Sequence, residues 1–210
     1  MMRLSTLLTL ADSRLPIGGH VHSGGVEEAV TSGLVRDIVT LEAFLRRRIR
    51  TSGLVAGSIA AAVCAGLEPA LADLEADART PSPAARDASR AQGRGLLRLA
   101  KQVWSGPDWS RLGARPHLPV VCGTVGRAED ASPSETALVL VYTTMTGSAT
   151  AAQRLLALDP ADVASCTFRL AGLCDDTADL AAKALADLSD PLLDVLAQRH
   201  VERDRPLFVS

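Results

Sequence analysis

The stretch 132–142, which reads SPSETALVLVY, indicates the fold class most directly. Ser132 is a favoured helix N-cap, Pro133 fits the first helical position, and Glu135 can accept a hydrogen bond from the cap amide. The run that follows is apolar on every side and then rich in small residues over 147–151. Because a helix that is apolar all round is normally buried between others, we expect this one at the centre of a bundle.

The composition also favours helices. The chain has 210 residues, enough for one domain or a tight pair, and it contains 34 alanines and 31 leucines but only 3% aromatic residues. Alanine and leucine are strong helix formers, whereas sheets prefer branched and aromatic side chains. We therefore predict an all-α fold, a single compact multi-helix bundle with a flexible glycine-rich N-terminal segment and a C-terminal tail.

Charge and hydropathy exclude several classes of protein. The formal net charge of -2 provides no positive field for nucleic acid, and the longest apolar stretch, 54–66, suits a buried core helix better than a membrane span. The N-terminal stretch 1–11 is too short and too polar for a signal peptide, and Asp12 stands where a cleavage site should follow. The sequence therefore predicts a cytoplasmic protein that binds neither nucleic acid nor membrane.

Several helix boundaries and buried groups can be predicted locally. Thr40 is expected to cap a helix whose arginine-rich part, 46–50, forms a solvated face. Asp159 with Pro160 and the stretch 189–191 should begin two later helices. The cysteines lie in apolar or alanine-rich surroundings without a C-x-x-C pair, which predicts reduced core thiols: Cys64, Cys122, Cys166 and Cys174.

The segment 18–25, which reads GGHVHSGG, is the most unusual part of the chain. It lacks the Gly-Lys-Ser/Thr ending of a phosphate-binding loop, so a tight turn is the simpler interpretation. Its His20 and His22 would point to the same side of an extended loop, and imidazoles bind nickel, copper and zinc. A complete metal site would need further ligands from Glu27, from Glu28 or from a second copy of the loop, so polar loop residues and interface contacts remain alternatives.

No catalytic pattern accompanies this segment. Serine, histidine and aspartate residues are scattered along the chain, but neither a nucleophile elbow nor a paired-carboxylate arrangement organises them. We therefore expect no enzymatic activity. The residues taken alone indicate a helical protein with a glycine–histidine loop.

Three blocks resemble the UreF family of urease accessory proteins. Residues 7–27 contain its signature Leu-Pro-(Ile/Val)-Gly-Gly, an aromatic position, Tyr or His, Ser and Gly-(Leu/Val)-Glu. Residues 86–97 resemble its arginine-rich helix with the core Gln-x-Gly-Arg-x-Leu-Leu, and 117–123 its Pro-Val-x-x-Gly helix start. His20 stands where the family usually has Phe, and the stretch 158–160 replaces a common Leu-Gly-Gln.

The resemblance implies a role in urease maturation. Members of the family are all-helical, non-catalytic and homodimeric, and they bridge a UreD/UreH-like accessory protein and the GTPase UreG. The assembly couples GTP hydrolysis to nickel insertion into apo-urease, so nickel is handled by the complex and no cofactor is bound permanently. By this resemblance, residues 1–200 form the UreF-like domain and 201–210 a partner-docking tail.

The resemblance also implies two sets of contact residues. The GTPase side comprises Gly18, Gly19, His20, His22, Ser23, Gly24 and Glu27, with His20 and His22 as transient nickel contacts. The UreD/UreH side comprises Arg203, Arg205, Pro206, Leu207 and Phe208. The tail is too short to bury itself, so we expect it to fold onto the partner.

Two alternatives to the scaffold come from other classes of protein. The first is a small helical carrier that binds nickel through His20 and His22. The second is a helical transcriptional regulator, for which the basic run 46–50 is the only candidate recognition element.

Overall fold

The chain is a bundle of helices in a computed structural model, which describes residues 2–19, 22–187, 190–201 and 207–208. Ten helices run in the order α1 Leu4–Leu10, α2 Val26–Thr31, α3 Ile38–Arg48, α4 Leu54–Ala65, α5 Pro69–Ala78, α6 Pro83–Val103, α7 Leu118–Ala128, α8 Pro133–Leu156, α9 Pro160–Ala181 and α10 Pro191–Val201 within these ranges. A π-helical turn, Ile49–Gly53, joins α3 to α4, and a 3-10 turn, Trp109–Leu112, precedes α7. The prediction of an all-α fold is confirmed.

Helix α8 lies at the centre and begins as predicted. The Glu135 amide donates to Ser132 Oγ at 3.1 Å, and the Ser132 amide donates to Glu135 Oε2 at 2.7 Å, which closes the capping box. Val141 and Met145 face a core shared with α2, α3, α9 and α10. Leu140 faces a second core shared with α1, α4, α6 and α7. One helix therefore contributes to the cores on both of its sides.

Glycines allow the central helices to approach closely. A Cβ added to Gly57 of α4 would lie 3.2 Å from Val141 Cγ2 and 3.4 Å from Ala137 Cβ. A Cβ added to Gly53 would lie 3.8 Å from Val141 Cα. Gly57 therefore reaches back to Ala137, whereas Gly53 lies against Val141. Because residue numbers rise along α8 as they fall along the facing segment, α4 and the π-helical turn run antiparallel to α8.

One local prediction about α3 is wrong, and a second holds only in part. Asp37, not Thr40, is the N-cap: the Thr40 amide donates to Asp37 Oδ1 at 2.8 Å, and Thr40 Oγ1 accepts from the Asp37 amide at 3.1 Å. Thr40 thus occupies the third helical position of a capping box. The arginine-rich end of α3 is also not simply a solvated face, because Arg47 pairs with Asp190 and Arg48 lies beneath the glycine segment.

The remaining local predictions agree with the structure. Asp159 Oδ1 accepts from the Ala161 amide at 2.7 Å and caps α9, and Asp190 accepts from the Leu192 amide at 3.2 Å at the start of α10. Ser189 lies outside the described residues. All four cysteines are buried. Across the described ranges, no helix is both long enough and apolar enough to cross a membrane.

Candidate functional site

The described parts of the glycine segment, residues 18–19 and 22–25, form a packed turn at the start of α2. Gly18, Gly24 and Gly25 have φ angles of 80°, 62° and 85°, in the left-handed region that favours glycine. Ser23 is fully buried, and its hydroxyl accepts a hydrogen bond from the Glu27 amide at 3.4 Å. The glycines are therefore required by the backbone, which turns sharply to bring Glu27 beneath the loop.

Glu27 is buried and joins the N-terminal turn to the C-terminal segment. Its Oε2 lies 2.7 Å from His200 Nε2 and accepts from the Phe208 amide at 3.0 Å, while its Oε1 accepts from the Leu207 amide at 2.8 Å. Burial raises the pKa of Glu27, but these hydrogen bonds outweigh it and hold the pKa below the usual value. We call this set of contacts the Glu27 junction.

The side chain of Phe208 corrects the prediction for the tail. Phe208 is 7% exposed and belongs to the core shared by α2, α3, α8, α9 and α10, and the Arg154 guanidinium lies 5.2 Å from its ring centroid. At this residue the expectation that the tail cannot bury itself is wrong, because Glu27 satisfies the backbone amides while the ring enters an apolar core. The adjacent Leu207 side chain is 78% exposed.

The structure brings together residues from the two predicted contact sets. Glu27 was expected to face the GTPase, yet it is buried within the chain, as is Ser23, so neither side chain is available to a partner in this arrangement. Gly18, Gly19, His22 and Gly24 are half-buried at the surface of the turn. Four predicted contacts lie outside the described residues: His20, Arg203, Arg205 and Pro206.

A second polar cluster connects α5, α6 and the start of α7. His117 is 1% exposed; its Nε2 lies 2.9 Å from Asp77 Oδ1, and its Nδ1 lies 3.0 Å from Ser89 Oγ. The His117 amide donates to Asp73 Oδ1 at 2.8 Å. Asp73, Asp77 and His117 are spaced closely enough to hold a metal ion. However, Arg90 already donates to both carboxylates, at 2.9 Å and 2.7 Å, so the cluster is a structural ion-pair network.

Comparison with known proteins identifies the family. The sequence model of the UreF family matches residues 35–171, more than half of the chain. The chain belongs to the UreF family. It is 72% identical to the urease accessory protein UreF of Mycobacterium sp. (strain JLS), 70% identical to that of Mycolicibacterium vanbaalenii and 64% identical to that of Mycobacterium tuberculosis (strain ATCC 25177 / H37Ra). Each alignment covers all of both chains.

UreF membership confirms the resemblance drawn from the three sequence blocks. The UreF model begins at residue 35, after the glycine segment, whereas the full-length relatives also align across that segment and the tail. These relatives are named as accessory proteins. The assigned partner contacts on the turn and the tail remain predictions.

The sequence did not predict the contacts of three side chains of this UreF chain. His200 and His117 each bind carboxylates that are distant in sequence, and the partner of each could not be inferred from local spacing. Arg48 was assigned to a solvated face although it lies beneath Gly24. The only local signal for the His117 network was the i, i+4 spacing of Asp73 and Asp77, which places two carboxylates on one side of α5.

Acidification should destabilise this UreF chain through His117. Burial lowers the pKa of His117 below its ordinary value of 6.5, although the hydrogen bond to Asp77 opposes the shift. Between the folded and unfolded pKa values, the unfolded chain binds a proton that the folded chain does not, so the free energy of unfolding falls as the pH drops below about 6.5. Urea titrations at several pH values should show this slope, at most about 1.4 kcal/mol per pH unit, and it should be reduced in His117→Asn. An identical slope in the variant would contradict the assignment.

Proposed function

We propose that the chain is a non-catalytic scaffold of urease maturation. It bridges a UreD/UreH-like accessory protein and the GTPase UreG, and it couples GTP hydrolysis to nickel insertion into apo-urease. In this proposal the chain works as a cytoplasmic homodimer, binds no permanent cofactor, and leaves nickel to the complex as cargo. Membership of the UreF family supports the role, and the Glu27 junction is the observation on which the bridging argument rests.

The Glu27 junction supports bridging because it connects the two proposed partner surfaces. The proposed GTPase surface is the half-buried turn formed by Gly18, Gly19, His22 and Gly24. The proposed UreD/UreH surface includes the exposed side chain of Leu207, whose amide donates to Glu27 directly beneath that turn. A partner that moves the tail must therefore alter the hydrogen bonds that hold the turn.

A pull-down with the cognate UreD/UreH-like protein and UreG, alongside nickel dialysis of the isolated chain, tests the proposal. We expect capture of both partners with little nickel retained. Leu207→Asp should weaken capture of the UreD/UreH-like protein by tenfold or more, because a charge replaces an exposed apolar anchor, and losing an anchor costs roughly 1–2 kcal/mol or more. The variant should not unfold the chain, since the side chain is already in water.

Leu180→Asp is the matched control. Leu180 is 53% exposed on α9, so Leu180→Asp also replaces an exposed leucine with a charged residue, but outside the tail. Equal losses of capture in Leu180→Asp and Leu207→Asp would show that the tail is not the docking element. Failure of the unmodified chain to capture either partner, together with stoichiometric nickel, would favour the alternative of a carrier that uses His20 and His22.

A further inference from the structure

Arg48 carries a partly buried positive charge that forms no ion pair with a carboxylate of the described residues. Its Nη1 donates to the Gly24 carbonyl oxygen, its Nε is enclosed without a hydrogen-bond partner, and its Nη2 forms no hydrogen bond within the described ranges. Asp190, whose charge acts on Arg48, already accepts from both Arg47 Nε and Nη2 at 2.6 Å. Burial lowers the pKa of Arg48 to about 10, so the guanidinium is still charged at neutral pH. A charged donor that is removed from water and lacks a partner is energetically costly, so a ligand that accepts its hydrogen bond would stabilise it.

Arg48 borders a cavity of about 400 Å³ that extends beneath the glycine turn. One face of α8 lines the cavity with Thr144, Gly147, Ser148, Ala151 and Arg154. The antiparallel register of α8 and the π-helical turn, in which Gly53 faces Val141, places Arg48 opposite the segment 144–148.

The hydroxyls on this face of α8 are available to a ligand. Neither the Thr144 hydroxyl nor the Ser148 hydroxyl forms a hydrogen bond with any residue in the described ranges, although Ser148 is only 3% exposed. Ser52 also lines the cavity from the π-helical turn. Such turns are rare and occur frequently at functional sites. A guanidinium and two hydroxyls, all of which can donate, therefore border the same cavity from facing elements.

The carboxylates that border the cavity do not occupy these donors. Asp190 is saturated by Arg47, Asp194 accepts from the Ser82 amide at 3.2 Å, and Asp12 pairs with Arg14 at 2.6 Å. Arg154 contributes a second positive charge to the lining of the cavity. Among the described lining residues, the surplus of positive charge and unpaired donors therefore favours an anion over a cation.

We propose that the cavity binds an oxyanion group through Arg48, Thr144 and Ser148. Arg48 Nη2 donates one charge-assisted hydrogen bond, and the two hydroxyls donate to the remaining oxygens of the same group. The group belongs either to a free tetrahedral anion such as phosphate or to a carboxylate. The proposal does not depend on the partners assigned to the turn and the tail.

Calorimetric titration of the full chain with inorganic phosphate tests the site directly. We expect saturable binding and a rise in Tm in phosphate relative to chloride at matched ionic strength. Arg48→Gln should abolish both effects. Ser148→Ala should weaken phosphate binding by about tenfold, because it removes one hydrogen bond to a charged group. Competition with acetate and with sulfate distinguishes the two kinds of ligand. Displacement of phosphate by acetate indicates that the site accepts a carboxylate, and displacement by sulfate alone indicates a tetrahedral anion.

Arg50→Gln is the matched control, since Arg50 is exposed two residues from Arg48. It should bind phosphate as the unmodified chain does. If Arg48→Gln does not fold, the double variant Thr144→Val, Ser148→Ala decides the outcome, because it keeps the buried charge and removes only the hydroxyls. The proposal is overturned if the unmodified chain binds no phosphate, or if Arg50→Gln loses binding as fully as the variants in the cavity.

Discussion

Glu27→Ala is expected to lower the free energy of unfolding by about 3 kcal/mol, because removing the buried carboxylate leaves three buried donors without an acceptor. The substitution deprives His200 and the amides of Leu207 and Phe208 of their shared acceptor. A loss of this size corresponds to a fall in Tm of roughly 6–12 °C for a chain of this length. Urea denaturation with a helical signal, repeated by calorimetry, measures both quantities.

Asp176→Ala provides the comparison, since Asp176 is an exposed acidic residue of α9 and its loss should change stability by less than about 0.5 kcal/mol. A double-mutant cycle with Phe208→Ala adds a sharper criterion. Both substitutions undo the same docking of the tail, so their combined cost should be clearly less than the sum of the single costs. Strict additivity would show that Glu27 and the Phe208 ring stabilise the chain independently.

Gly93→Ala is expected to destabilise the chain by about 3 kcal/mol, although alanine is the better helix former. A Cβ at position 93 would lie 2.9 Å from the His117 carbonyl carbon and the Leu118 nitrogen, and closer still to the Pro116 carbonyl oxygen. These are backbone atoms and cannot rotate away. Moving them would break the hydrogen bond from the His117 amide to Asp73. Urea unfolding measures the loss.

Gly172→Ala should stabilise the chain, in contrast to Gly93→Ala. A Cβ at Gly172 of α9 would meet nothing within 4 Å, so alanine should raise stability by about 0.5–1 kcal/mol through helix propensity alone. A stabilising effect of Gly93→Ala similar to that of Gly172→Ala would contradict the close packing of α6 against the start of α7.

Local chemistry made much of the fold predictable. Ser132 and Asp159 cap helices because their side chains reach amides only two or three residues away, and such signals are contained in a short stretch. Thr40 shows the limit of this reasoning. Asp37, three residues earlier, is an equally good cap and forms the other half of the capping box.

The candidate site was only partly predictable, because its decisive contacts join distant residues. The composition of the tail predicted that it would be exposed. Phe208 is buried instead, because His200 and the amides of Leu207 and Phe208 all bind the buried carboxylate of Glu27. The basic end of α3 likewise predicted a solvated face. Its Arg48 is only partly exposed because Gly24 lies over it, and a Cβ at Gly24 would collide with the guanidinium.

The Glu27 junction also has a consequence for biosynthesis. It joins positions 180 residues apart, so Glu27 leaves the ribosome long before Leu207 is made. Until then its carboxylate stays hydrated, because burying it without partners would cost several kcal/mol. The N-terminal turn therefore closes only after residues 200–208 have been synthesised. A product that ends before residue 200 should pack most of its helices yet leave this turn open.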